Sequence, residues 1–431
     1  MDFANTIEQY SALIKRKRLL PALFILYIGC TLYGLYIFNQ LTCHIFSQQL
    51  LQAPIVTAQN STPSDAELAR YLVHENTYSI VATNSIHLDG HVFSNVASCS
   101  DGIGDNSTGR IFFYLTLMDP TGADLKKDPS AAVTFAQAQL TGASSCGMID
   151  PEDPTCAKLT IGGNIIEVQE STDKEFALKA LFSRNPAMSE WPAEHGWIVF
   201  EMKPEDIIIF SHYGGSARIS PLEYFAASPK SATNIVRASS LSRPAIQSVT
   251  KPEAARTMIH AAKWGVLSAS TKAGKPFSYV ESFSDGAMGL ATGRIWFFLT
   301  EKDQVVDDAA RDDRVSFTVS QAMIDVARTS DPFCGGNIAE DPTCGRITLS
   351  GRLRPLESPA EISTAKAALF ARHPVMASWP GTHAFTPYEL EIETIFFVNF
   401  YGGASPMTVS EYFAAFPMSE NVSENTVTVA K

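Results

Sequence analysis

Apolar residues fall along this chain in two ways. One is an unbroken run, LLPALFILYIGCTLYGLYIFNQL, from Leu19 to Leu41, which contains no charged residue. At ~1.5 Å per residue it reaches ~34 Å as a helix, enough for the hydrocarbon core of a bilayer. The other is a series of short apolar and aromatic stretches bounded by turn residues, and these come in pairs. GRIFFYLTL is echoed by GRIWFFLTE, AAVTFAQAQ by RVSFTVSQA, and AKLTIGGNIIEV by GRITLSGRLRPL. Their length and their β-branched and aromatic content predict buried strands. IVFEMKPEDIIIFSHYGG and YELEIETIFFVNFYGG add two strand-rich endings. Helical periodicity is confined to a few segments. AELARYLVHE and EAARTMIHAA predict short opening helices. SPAEISTAKAALFAR predicts a longer one, with Ser358 as cap, Pro359 in the first turn and Glu361 closing a capping box; Thr172 and Glu175 serve in the same way in the partner segment.

The pairing is a duplication. Cys156 matches Cys344, Trp191 matches Trp379 and Gly215 matches Gly403, each 188 positions on; Asp101 matches Asp285 and Arg110 matches Arg294, each 184 on. The extra residues of the second copy lie in one loop, between Gln321 and Cys334. A period this long means duplicated domains rather than a solenoid. The copies are residues 65–227 and 251–416, joined by a Ser/Ala/Pro-rich linker at 228–250 and followed by a tail at 417–431. Mostly strands with a few helices predicts a mainly β, α+β fold in which an antiparallel sheet closes on itself.

Composition narrows the function. The chain has 431 residues and a formal net charge of −12, so phosphate backbones repel it and nucleic acid is not a partner. Its one basic run, KRKR at Lys15 to Arg18, stands directly before the apolar run. That order predicts a cytosolic segment 1–18, a transmembrane signal anchor 19–41, a stalk 42–64 and a lumenal or extracellular remainder. A cleaved signal peptide is the alternative, but its apolar core usually runs only ~7–15 residues.

Chemistry-bearing residues come next. Cys146 and Cys156 stand ten positions apart, as do Cys334 and Cys344. In an oxidising compartment such pairs read as local disulfides. The zinc alternative wants two tight Cys/His pairs per site, and each copy offers one loose pair with no histidine beside it. Cys99 is matched by Phe283, which marks a buried apolar position. Sequons stand at Asn60, Asn106 and Asn421, usable by glycosylation in a lumenal chain. His195 and His383 follow Trp-Pro pairs at equal spacing and read as packed residues rather than bases. His373 has Asn185 as its counterpart, which argues against a shared chemical role. Gly214-Gly215 and Gly402-Gly403 fit turns with positive φ, not dinucleotide fingerprints.

KPFSYVESFSDG, TGRIWFFLT, EDPTCGRITLSG, ALFARHPVMASWP and NFYGGA…EYF in the second copy, with STGRIFFYLT, DPEDPTC, ALFSRNPAMSEWP and HYGGSA…EYF in the first, resemble the CREG family. These are secreted or lysosomal glycoproteins with the FMN-binding split-barrel fold of pyridoxamine 5'-phosphate oxidase-like proteins. The resemblance implies two tandem split barrels. Such barrels usually pair as homodimers, with any flavin at the interface, so tandem copies imply pairing in cis. It also implies where a flavin pocket would lie: Ser98, Ser100 and Asp101 of the first copy and Ser282, Ser284 and Asp285 of the second line or border it.

A phosphate needs cations or several free N–H groups. The segments ASCSDG, ESFSDG, TLMDPTGADL and TEKDQVVDD hold one cation, Lys302, flanked by Glu301 and Asp303. The expectation is therefore a vestigial pocket with no cofactor and no metal, plugged by water, an apolar ligand or the longer loop Ile324 to Phe333. Two functions follow from different classes. One is a non-enzymatic glycoprotein of the secretory or endolysosomal route that binds a protein partner or receptor. The alternative is an FMN- or tetrapyrrole-binding oxidoreductase.

Overall fold

A computed structural model of the chain describes residues 62–140, 145–147, 149–230, 250–287, 289–325, 334, 338–404 and 406–417. The apolar run 19–41, the sequons at Asn60 and Asn421, and most of the linker and of the loop 324–333 lie outside them. Among the described residues no helix is long and apolar enough to cross a membrane.

Each copy opens with an amphipathic helix, α1 (Asp65–Glu75) and α5 (Lys251–Ala261). Both start in a capping box, Ser64 with Glu67 and Thr250 with Glu253. In the first copy follow β1 (Tyr78–Asn84), β2 (Val92–Ser100), β3 (Ile111–Leu115), α2 (Pro120–Lys127), β4 (Ser130–Ala136), β5 (Lys158–Glu167), α3 (Ser171–Arg184), β6 (Ile198–Phe210), β7 (Ala217–Ile219) and α4 (Pro221–Ala226). The sheet order is β3-β2-β1-β4-β5-β6-β7, and a β3–β6 pairing closes six strands into a barrel. The second copy repeats it: β8 (Trp264–Ser270), β9 (Pro276–Ser284), β10 (Ile295–Leu299), α6 (Gln304–Ala309), β11 (Arg314–Ser320), α7 (Gln321–Asp325), β12 (Arg346–Pro355), α8 (Pro359–Arg372), β13 (Thr386–Val398) and α9 (Val409–Ala414). Its barrel closes as β10-β13-β12-β11-β8-β9.

Closure requires the long fifth strand to bend. Register shifts fall between Gly162 and Gly163 in β5 and between Ser350 and Gly351 in β12. A Cβ at Gly163 would stand 2.2 Å from the Lys203 carbonyl oxygen, and one at Gly351 would stand 1.9 Å from that of Glu391, so the facing strand approaches the bulge too closely for any side chain.

Every residue of β2 is buried, on both faces of the strand. One face fills its own barrel, with Val81, Ala97, Cys99 and Phe113 in a common core. The other face meets the second barrel. Tyr78, Ile80, Val96 and Cys156 pack with Trp264, Val266, Val280, Met323 and Cys344 in a core that belongs to both copies. Phe93 meets Phe396 edge-on at 5.3 Å. The polar contacts are reciprocal. Thr348 Oγ1 donates to the Ser94 carbonyl at 2.7 Å, and its counterpart Thr160 Oγ1 donates to the Ser278 carbonyl at 2.8 Å. Such exchange of equivalent contacts is the mark of a pseudo-twofold arrangement.

The helix starts depart from the expected capping. α3 begins at Ser171 behind Glu170, and neither Ser358 nor Glu170 makes a side-chain cap. Glu361 instead binds Arg294 at 3.1 Å, and Glu175 binds Lys179 at 2.7 Å. In the first copy the helix begins a residue ahead of Thr172, which therefore lies within its first turn and cannot cap it.

Candidate functional site

The repeated string EDPTC builds the site. In each copy it forms the loop before the fifth strand. Asp153 Oδ1 accepts from Thr155 N at 2.8 Å, and Asp341 Oδ1 accepts from Thr343 N at 2.8 Å, turns that Asp followed by Pro favours. Disulfides Cys146–Cys156 and Cys334–Cys344, with Cα atoms 5.4 and 5.0 Å apart, staple each loop's base. A cation on the following strand holds the loop's backbone. Lys158 donates to the Glu152 and Asp153 carbonyls at 2.7 and 2.8 Å, and Arg346 donates to the Glu340 carbonyl at 2.9 Å. The glutamate that opens the string is thereby aimed outward, into the other barrel.

There it meets the end of the second strand. Glu340 Oε2 accepts from the Ser98 backbone N–H at 2.8 Å, and Glu152 Oε2 accepts from the Ser282 N–H at 3.0 Å. Each barrel's second strand thus has a backbone N–H taken up by a carboxylate of its sister, at the place where the pocket is expected. In the first barrel's pocket Glu340 is 8% exposed, with Asp119 and Arg346 beside it. Burial, against the Ser98 N–H and Arg346, pushes its carboxyl up to about 8.

The second barrel's pocket carries more charge. Ser282 Oγ donates to Asp150 Oδ1, and Asp150 Oδ2 stands 2.6 Å from His373 Nδ1. His373 is 1% exposed, and its Nε2 donates to the Phe283 carbonyl at 2.9 Å. A proton is therefore shared between Nδ1 and Asp150. Burial, the largest single influence, pushes Asp150 upward, but the hydrogen bond and charge of His373 together with the hydrogen bonds from Ser282 and the Glu152 N–H carry the net direction down. Glu152 is raised well above the usual range by burial and then by Glu281, Asp150 and Asp303; Glu281 is raised likewise by burial and by Asp303. Burial pushes Lys158 down to about 8 against the pull of these carboxylates. Three ionisable groups of the second site have no ionisable counterpart in the first: Asp150, Glu281 and His373 correspond to Ile338, Ala97 and Asn185, while the cation Lys158 corresponds to Arg346. With Ile338 in place of an acid, Ser98 Oγ has no hydrogen-bond partner among the described residues.

The other residues singled out from the sequence lie apart from these contacts. Ser100 Oγ and Ser284 Oγ donate to the Gly102 and Gly286 carbonyls at 2.8 and 3.0 Å, shaping the turn after the strand. Asp101 and Asp285 are fully buried and bind His74 and His260 of the opening helices at 2.8 and 2.7 Å. Cys99 lies inside its barrel, where burial pushes the thiol up to about 12, the wrong direction for a nucleophile. Asn106 is exposed in its loop. The buried Arg70 and Arg256 were not singled out. They donate to the Ala227 and Ala415 carbonyls at 2.6 and 2.7 Å and so tie each closing helix to the opening one. Their only sequence signal is equal placement in the two opening helices. Among the described residues no cluster of His, Cys, Asp or Glu is arranged to hold a metal.

The profile described as "CREG, beta-barrel" matches residues 60–226 and again 247–414. The chain belongs to the CREG family. Human Protein CREG2 is 40% identical over 169 residues, which is 39% of this chain and 58% of that relative, so one barrel's length matches somewhat over half of it. Mouse Protein CREG1 is 31% identical over 160 residues, 37% of this chain and 72% of that one. Among solved structures, a heme binding protein from Mycobacterium smegmatis aligns with TM-score 0.32 and 20% identity over 41% of this chain and 63% of that one. A pyridoxinephosphate oxidase family protein from Clostridium acetobutylicum aligns with TM-score 0.24 and 14% identity over 35% and 89%. For a CREG-family chain, paired disulfides in both barrels fit the secretory pathway. Around the Ser282 N–H stand Glu152, Glu281 and Asp303 with Lys158, and around the Ser98 N–H stand Glu340 and Asp119 with Arg346.

Proposed function

We propose that this CREG-family chain is a non-enzymatic glycoprotein of the secretory or endolysosomal route whose two barrels act as one intrachain pseudo-dimer through protein–protein binding. In this reading residues 19–41 anchor it, the barrels are lumenal or extracellular, and Asn60, Asn106 and Asn421 carry glycans. One observation supports the reading: Glu152 and Glu340 take the backbone N–H groups of Ser282 and Ser98, residues expected from the resemblance to line or border a flavin pocket. With those N–H groups taken up within the chain, the outer surface of the paired barrels is the part left to meet a partner.

The test is a titration of the full-length protein, purified in detergent, with FMN and separately with hemin, followed by ligand fluorescence and visible absorbance. The expected result is no saturable binding at one or two equivalents. Stoichiometric binding of either, with electron transfer from a reduced nicotinamide, would replace this reading with an oxidoreductase.

A further inference from the structure

The duplication has left two pockets built on one plan but charged differently, and the difference lies at a contact between barrels. We propose that the loop Ile149–Asp153 and the second barrel's pocket form a proton-operated clasp, which closes in acid and loosens toward neutral pH more steeply than the twin contact made by Glu340.

The groups that face one another fix the sense of the response. The loop brings Asp150 and Glu152, with Asp153 turned back toward Thr155 and Tyr213. Strand β9 brings Glu281, which is 6% exposed, and the Ser282 N–H. Asp303, the residue before α6, faces both glutamates. The end of α8 brings His373, and His383 acts on Asp303 from farther off. Lys158 of β5 is the cation in range of the glutamates, and its ammonium already holds two carbonyls of its own loop. Glu152 and Glu281 therefore share one lysine, whose ammonium is already engaged, while Asp303, which accepts from the Thr300 N–H at 2.8 Å, adds like charge to both glutamates; burial of this group favours the protonated carboxyls.

The sign follows by linkage. Glu152, Glu281 and Asp303 all shift upward when the clasp is closed. The closed state then binds more protons than the open one, so closure is strongest at and below the ordinary carboxylate range and is lost as pH rises toward their raised values. Asp150 shifts downward; its contribution is complete above its ordinary range and is lost only in stronger acid. Lys158, pushed down to about 8, keeps its proton in both states below that pH and does not alter the slope there; above it, closure favours the neutral amine. In the twin pocket Ile338, Ala97 and Asn185 replace the extra ionisable groups, and Glu340 faces Asp119, Arg346 and the Cys99 thiol. Its response is that of a single carboxyl.

The experiment compares amide exchange at Ser282, the donor to Glu152, with exchange at Ser98, the donor to Glu340, in the full-length protein in detergent. Rates are taken between pH 5 and 8 and corrected for the intrinsic pH dependence of exchange. One linked proton changes an opening constant about tenfold per pH unit, and two change it about a hundredfold. Ser282 is expected to show the steeper loss of protection and Ser98 no more than the single-proton slope. Glu281→Gln, a neutral isostere, is expected to lower the slope at Ser282 by about one proton and leave Ser98 unchanged; Asp303→Asn serves the same purpose should the first variant not fold. Equal slopes at the two amides, or a slope at Ser282 that either variant leaves untouched, would overturn the clasp. Neither result depends on whether FMN binds.

Discussion

Replacing Glu340 with glutamine isolates one buried proton. Glu340 is 8% exposed and its carboxyl is held up to about 8, against an ordinary value of 4.5. Because the folded value is the higher one, the folded state keeps a proton that the unfolded chain gives up. The group's contribution is fully present below pH 4.5 and is lost as pH rises toward 8. Each pH unit within that window costs about 1.4 kcal/mol, so at pH 7 the wild-type protein loses about 3 kcal/mol relative to pH 4.5 through this one group. Glutamine cannot ionise, and its amide oxygen can still accept the Ser98 N–H. The Glu340→Gln protein is therefore expected to gain on wild type by under about 1 kcal/mol at pH 5, about 3 kcal/mol at pH 7, and little more beyond pH 8. Denaturant unfolding followed by tryptophan fluorescence at each pH gives the difference, in which every other titrating group cancels. A fixed offset from packing the amide leaves the slope untouched. A difference that stays flat from pH 5 to 8, or that falls with pH, refutes the assignment of a buried, protonated Glu340.

Two other substitutions test the frame that carries the pockets. Gly351→Ala is expected to cost several kcal/mol by denaturant unfolding, since its Cβ would stand 1.9 Å from the Glu391 carbonyl oxygen, whereas Gly381→Ala, with nothing within 4 Å, should change stability by less than about 1 kcal/mol. Removing Cys146–Cys156 by a double alanine substitution is expected to cost about 2–3 kcal/mol for a loop of this length, and to raise amide exchange at Ser282 by freeing the loop that carries Glu152; unchanged exchange there would show that the staple does not position the glutamate.

Much of the architecture was legible in the chain because its causes are local. Apolar and aromatic runs of strand length became β3, β4, β5 and β6 and their twins, and the closing YGG turns take positive φ at Gly214, Gly215, Gly402 and Gly403. The capping of α3 and α8 was not legible locally: α3 starts at Ser171, which leaves Thr172 inside its first turn, and Glu361 of α8 meets Arg294, which comes within reach only once the barrel is built. The disulfide spacing was informative because ten residues can close on themselves in only a few ways.

The sequence by itself determined that there are two copies of one strand-rich unit, where each begins, and which cysteines stand close enough to bridge. It also displayed EDPTC twice without disclosing why. That reason lies in no single copy. A glutamate near the start of a loop is an ordinary solvated residue until a second barrel presents a backbone N–H to it, and then burial raises the energy of its charge. Only the tertiary structure decided that Glu152 and Glu340 face the sister pockets, that β2 is buried on both faces, and that Asp101 and Asp285 turn toward histidines instead. Pattern along a chain reports what each residue prefers; desolvation and pairing depend on which distant groups the fold brings within 3 Å.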